Sequence, residues 1–221
     1  GPGNFMFDPS IVIRPDALLI KVDFDGTTDP TVGDKAAEAK SLKLVADRFD
    51  RPNKAYAFDG ETSRLVYPLN RFPSAEYTAM AWIRPEAMPE KGPHQIFSAW
   101  CAGMDDPLRF TVVDNKLAGM IEAGSGYGTP LTSEVELQPN VWRHVTMVND
   151  SDKIIIYLDV KKVSEASCPE WLDTAAMAIG VGCNPLLPEP NKEHFRGVID
   201  DVRLYERALT AEEVRKAMEE K

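Results

Sequence analysis

A chain of 221 residues that is 43% hydrophobic and 27% charged carries enough apolar material for a two-layer core. Its formal net charge of −10, from 35 acidic and 25 basic side chains, repels phosphate backbones and argues against nucleic-acid binding. No apolar run approaches the roughly 18 residues needed to cross a bilayer, so membrane insertion is not expected.

Residues 1–16 read as an N-terminal extension, and Gly1-Pro2 has the form left by cleavage of a purification tag. Residues 17–221 read as one domain. Short runs rich in Val, Ile, Phe, Tyr and Trp predict strands over 17–24, 55–58, 64–67, 77–83, 95–100, 108–113, 116–121, 142–148, 153–160, 176–181 and 197–205. Turn formers separate them, among them Asp59-Gly60, Asp114-Asn115 and Asn149-Asp150. Asp114-Asn115 suits a two-residue hairpin, because both residues tolerate positive φ. Two stretches depart from the β pattern. Residues 33–47 contain an Ala/Lys/Glu run that is either a short helix or a surface loop; the loop is the favoured reading. Thr210-Ala211-Glu212-Glu213 is a capping box, and Val214, Ala217 and Met218 repeat at helical spacing, which predicts a helix over 211–220. About eleven strands and one terminal helix predict an all-β, two-sheet antiparallel sandwich.

Certain fragments recur in a characteristic order: Phe58-Asp59-Gly60, Tyr77-Thr78-Ala79-Met80-Ala81-Trp82-Ile83, Trp142-Arg143-His144-Val145, Ile156-Tyr157-Leu158-Asp159, and the run from Phe195 to Tyr205 before Ala208-Leu209-Thr210. This series resembles the laminin-G-like, concanavalin A-like jelly roll of the lectin and glucanase kind. The resemblance covers residues 17–216 and implies two stacked sheets with one concave surface open to ligands. One departure is visible: the family's Tyr-x-Asp-Gly is here Tyr157-Leu158-Asp159-Val160, which predicts a different turn, since Val resists positive φ.

Related sandwiches hold a structural calcium between early and final strands. The resemblance therefore implies a site formed by Asp23, Asp25, Asp59, Gly60 and Asp200; hard oxygen ligands are what calcium requires. The alternative is that these residues are solvated turn formers. For ligand binding the candidates are Trp100, Arg109, Tyr127 and Trp171, because sugars stack on aromatic faces flanked by polar groups. Trp82 and Trp142 lie inside strands and are expected in the core.

Catalysis is not expected. A β-glucanase strand would show Glu-x-Asp-x-Glu or a near variant, and Glu134-Val135-Glu136 lacks the third acid. Asp200-Asp201 should place its two carboxylates on opposite faces. His94, His144 and His194 are scattered, and His144 reads as structural. Cys101, Cys168 and Cys183 form no CxxC pair, which argues against thiolate zinc; Cys168 and Cys183 are either bridged or free. Asn149-Asp150-Ser151 fits a glycosylation sequon. The reading that follows is a non-catalytic binding module of a larger secreted, periplasmic or cell-surface protein, recognising carbohydrate or another extracellular ligand. An adhesion domain that contacts proteins and has no sugar site is the alternative.

Overall fold

The computed structural model describes residues 17–88, 90–123, 130–168, 171–186 and 193–220, together with the backbone of Gly126 and Tyr127. The N-terminal extension lies outside them. Sixteen strands are present among the described residues: β1 (Leu18–Val22), β2 (Glu38–Lys40), β3 (Lys43–Val45), β4 (Ala55–Asp59), β5 (Arg64–Pro68), β6 (Tyr77–Pro85), β7 (His94–Ser98), β8 (Asp106–Val113), β9 (Lys116–Ala123), β10 (Gly126–Tyr127), β11 (Leu131–Glu136), β12 (Arg143–Asn149), β13 (Lys153–Leu158), β14 (Lys161–Ser167), β15 (Ala178–Val181) and β16 (Arg196–Tyr205). Helix α1 (Ala211–Glu219) follows.

Each of the eleven predicted runs contains a strand. The segment 33–47 is not merely a loop: it contributes β2 and β3, which pair with β5 and β4 respectively. The Ala/Lys/Glu composition masked them because these are edge strands, exposed on one side and three residues long. Strands β11 and β14 escaped notice for a similar reason, since their sequences are largely polar and partly exposed.

Pairing is antiparallel throughout. The first sheet runs β14-β13-β12-β6-β16-β4-β3 with β1 also on β16; the second runs β10-β9-β8-β7-β15-β5-β2 with β11 also on β9. Period-2 alternation turns Ala79, Ala81, Ile83, Val145, Met147, Ile154 and Ile156 of the first sheet toward Leu65, Tyr67, Phe97, Leu108, Phe110, Leu117 and Ile121 of the second. Each large apolar side chain fully buried there contributes about 1.5–3 kcal/mol. The Tyr77 hydroxyl, which enters the layer, donates to the Pro107 carbonyl at 2.8 Å.

The same alternation places Trp82 between Ala81 and Ile83 on the opposite, outer face. Trp82 is therefore half-buried outside the core, as is Trp142 just before β12, and the expectation of core positions for both fails. Asp114 and Asn115 take φ of 49° and 63°, as the tight β8–β9 hairpin requires. In the β13–β14 turn the positive φ falls on Asp159 (57°), which leaves Val160 outside the left-handed region.

Helix α1 packs on the outer face of the first sheet, where Val214 and Ala217 meet Met80, Val148, Tyr157 and Tyr205. Its capping box is complete: the Glu213 amide donates to Thr210 Oγ1, and the Thr210 amide donates to the Glu213 carboxylate, both at 3.2 Å. Thr210→Ala should cost about 1 kcal/mol, read as a fall of a few degrees in Tm; an unchanged melt means the helix contributes nothing to the cooperative fold.

The three cysteines are free thiols. Cys168 follows β14 and contacts Asn149, whereas Cys183 is buried against the Leu65 carbonyl of the other sheet, so they do not flank one turn and do not bridge. Burial pushes all three thiols up to about 11, which favours the protonated form. The sequon asparagine is buried too; Asn149 Nδ2 donates to the Ala75 carbonyl at 2.8 Å.

Candidate functional site

Helix α1 packs on part of the outer face of the first sheet, and the candidates Trp100 and Arg109 lie on the outer face of the second. On β8, Leu108, Phe110 and Val112 point into the core, so Arg109 and Thr111 point outward. Register carries that face across the sheet: Gly180 of β15 stands beside Ser98, Ser98 beside Arg109, and Arg109 beside Met120. Ala99, just past β7, belongs to the core, and Trp100 therefore turns outward beside Ser98 and Arg109. Its indole N–H donates to the Ala102 carbonyl, which fixes the ring by its edge.

Beside Trp100 lies an open cleft of about 300 Å³ lined by Ala99, Trp100, Cys101, Ala175, Met177, Ala178, Pro185 and Leu186. Met177 is 61% exposed and Leu186 43%. One wall is a loop folded over the sheet at Gly180. A Cβ there would stand 2.4 Å from the Cys183 carbonyl oxygen and 3.0 Å from Pro185 Cδ, so glycine is required for the loop to approach. Arg64 holds the loop down, donating to the carbonyls of Asn184 (3.0 Å) and Pro185 (3.3 Å) and to Glu38 (2.7 Å). Asn184 and Gln95 both donate to Glu193.

Behind the aromatic platform sits a carboxyl that sequence reasoning missed. Asp106 is 1% exposed; one of its oxygens accepts from Arg109 Nε at 3.1 Å, and Oδ1 has no partner among the described residues. Burial pushes it up to about 7, against the pull of Arg109, with Glu122 across the strand pair adding in the same direction. The doublet Asp105-Asp106 was the available signal: Asp105 ties the β7–β8 loop to Thr174 and Ala175, leaving Asp106 to enter the sheet.

Of the four ligand candidates, Trp100 and Arg109 share this face; Trp100 lines the cleft and Arg109 does not. Trp171 is 68% exposed but is not among the residues lining the cleft; its neighbour Leu172 is anchored to Ser74 instead. The Tyr127 backbone pairs with Glu122, extending the row Asp106–Glu122, and its side chain lies outside the described residues. His144, expected to be structural, is buried at 2% exposure against the edge of Trp82 and is pushed down to about 3 by burial, Arg203 and Arg48.

The five residues implied for calcium do not form one donor set. Asp59 is the register partner of Arg196, four residues along β16 from Asp200, a separation of about 13 Å. The Asp59 carboxylate is already engaged by the amides of Glu61, Thr62 and Ser63 and by the Thr62 hydroxyl. Although partial burial works the other way, those donors hold it well below the usual range. Asp25 is exposed. Asp23 follows Val22, the register partner of Val202, and so lies near Asp201, with Oδ1 buried and unpartnered among the described residues. Nor do Asp200 and Asp201 point apart: a register irregularity in β16 and a φ of 50° at Asp201 swing both carboxylates onto Arg48. Burial and then the neighbouring Asp201 push Asp200 up to about 8. Among the described residues no group of three or more His, Cys, Asp or Glu side chains is gathered for a metal.

At the level of whole-sequence comparison no curated protein matches the chain. Solved structures do share its fold. Domain 4 of an extracellular arabinanase from Geobacillus stearothermophilus, in complex with arabinotriose, superposes with a TM-score of 0.71 at 17% identity, over 91% of this chain and 98% of that one. The binding domain of Paraclostridial Mosquitocidal Protein 1 gives 0.74 at 16% identity, over 92% of this chain and 52% of the other. A Trypanosoma rangeli sialidase gives 0.67 at 16%, over 93% of this chain and 33% of that enzyme. Residues 59–215 match the family described as the concanavalin A-like lectin/glucanases superfamily, and the chain belongs to it.

Proposed function

We propose that the chain is a non-catalytic carbohydrate-binding module whose sugar site is the cleft beside Trp100 on the outer face of the second sheet. The observation that carries this reading is that Trp100 lines an open and mainly apolar hollow on the sheet face that Arg109 shares. A pyranose or furanose has an apolar face for the indole and a hydroxyl rim for Arg109 and its neighbours. The arabinanase domain that shares the fold over its whole length holds an arabinotriose, which supports the class of ligand without fixing which sugar. The mosquitocidal-protein and sialidase structures extend well beyond this fold, and a place within a larger extracellular protein is part of the proposal.

A glycan array that includes arabino-oligosaccharides and sialylated sugars tests it, followed by titration of the glycan retained. Trp100→Ala should weaken binding about 30-fold, the loss of one anchoring aromatic, whereas Trp171→Ala should leave it unchanged. An array without binders defeats the reading. In that case the exposed Met177 and Leu186 at the cleft mouth favour the protein-contact alternative. Hydrolysis of any bound sugar would point to Asp106 and Glu122, which stand opposite each other on β8 and β9.

A further inference from the structure

Strand β16 changes partners along one side. Its first half pairs with β4 as far as Ile199↔Tyr56, and its second half pairs with β1 from Val202↔Val22. Asp200 and Asp201 fall in the handover, where neither strand covers them. Into this gap the segment between β3 and β4 inserts Arg48. Its Nη1 donates to Asp201 Oδ2 at 2.6 Å and reaches Asp200 Oδ2 at 3.4 Å. The Arg48 side chain is 7% exposed, and its guanidinium carbon lies 4.5 Å from the ring centroid of Trp82, the register partner of Asp200. The cation is thus enclosed by two carboxylates and an aromatic face.

A calcium ion needs six to eight oxygens at about 2.3–2.6 Å. An ion at that distance from both carboxylates would occupy the space of Arg48 Nη1 and meet its charge at contact range. Of the remaining residues implied for calcium, Asp59 and Gly60 stand at the far end of β4 and Asp25 is exposed. We infer that Arg48 is a built-in substitute for a divalent ion at this strand handover. The native fold is therefore indifferent to calcium, and removing the guanidinium leaves the adjacent carboxylates of Asp200 and Asp201 without their cation, a charge that an added divalent ion can relieve.

The test compares melting in excess calcium chloride with melting in chelator. The native protein is expected to give the same Tm in both; a rise with calcium that chelator reverses overturns the inference. Arg48→Met should melt lower in chelator and recover by about 5–10 °C in calcium, and Asp201→Asn in that background should abolish the recovery. An Arg48→Met protein that folds and ignores calcium also overturns it. Arg48→Lys is the variant to read if Arg48→Met is unfolded in both media. Its ammonium reaches one carboxylate and not two, so calcium should raise its Tm by a few degrees, and indifference there counts against the inference.

Discussion

Gly197→Ala should be the most damaging single-methyl change in the protein. Gly197 begins the long β16 strand beside β6, in register with Pro85 and Phe58, at a φ of 143° that side chains rarely adopt. An added Cβ would stand 2.4 Å from the Arg84 carbonyl oxygen, 2.9 Å from Pro85 Cα and 3.0 Å from the Glu86 amide. All three are backbone atoms of β6 or of the residue that follows it, so no side chain can swing aside. Relief requires parting β16 from β6, the pair around which the first sheet is ordered. A loss above about 4 kcal/mol is expected, comparable to the whole stability of many domains. It should appear as an insoluble product or a Tm lower by more than about 10 °C. Gly103→Ala, where a Cβ meets nothing within 4 Å, is the control. A Gly197→Ala protein melting with wild type would show that the β16–β6 register is wrong.

Asp106 should make the module more stable at pH 5 than at pH 8. Its folded pKa is about 7, above the usual carboxyl value of 3.8 that it regains on unfolding. Protons therefore bind the folded state more tightly, and the contribution is complete below about 4 and lost as pH rises through 7. Arg109 and Glu122 are the charged groups facing it, and Arg109 offsets only part of the cost of burial. Asp200 acts in the same sense through its pKa of about 8, whereas Asp59 and Asp47, held low, contribute stability that is present above about pH 4 and lost as pH falls below it. Each pH unit between folded and unfolded pKa corresponds to about 1.4 kcal/mol. Asp106→Asn, which keeps the shape but cannot ionise, should gain on the order of 4 kcal/mol over wild type at pH 8.5 and less than half of that at pH 5. Thermal melts across that range decide it; parallel pH slopes for the two proteins would sink the argument.

The sandwich was legible because its central strands carry their own evidence. Alternation in 77–83, 108–113 and 116–121, turn pairs such as Asp114-Asn115 and the Thr210 capping box each depend on residues near in sequence, and all reappear. Edge strands were illegible because exposure on one side removes the apolar signal, as in Glu38–Lys40. The candidate site was half visible. Trp100 and Arg109 were nameable as an aromatic and a cation near loops. That they share a face depends on the β7–β8 register, and the cleft wall depends on a loop 80 and more residues away that crosses at Gly180. Asp200 and Asp201 misled for a related reason: strict alternation separates neighbours, and one left-handed residue cancels the rule.

The sequon at Asn149 carries a practical consequence for making this protein. In the folded state its amide nitrogen is sealed inside and committed to Ala75, so no oligosaccharyltransferase can reach it. During synthesis in a eukaryotic secretory host the same asparagine passes the enzyme while still extended. A glycan added then could not be buried, and the two central strands β12 and β6 could not close over it. Yield from such a host should depend on a race between chain folding and glycan transfer, a race that bacterial expression never stages.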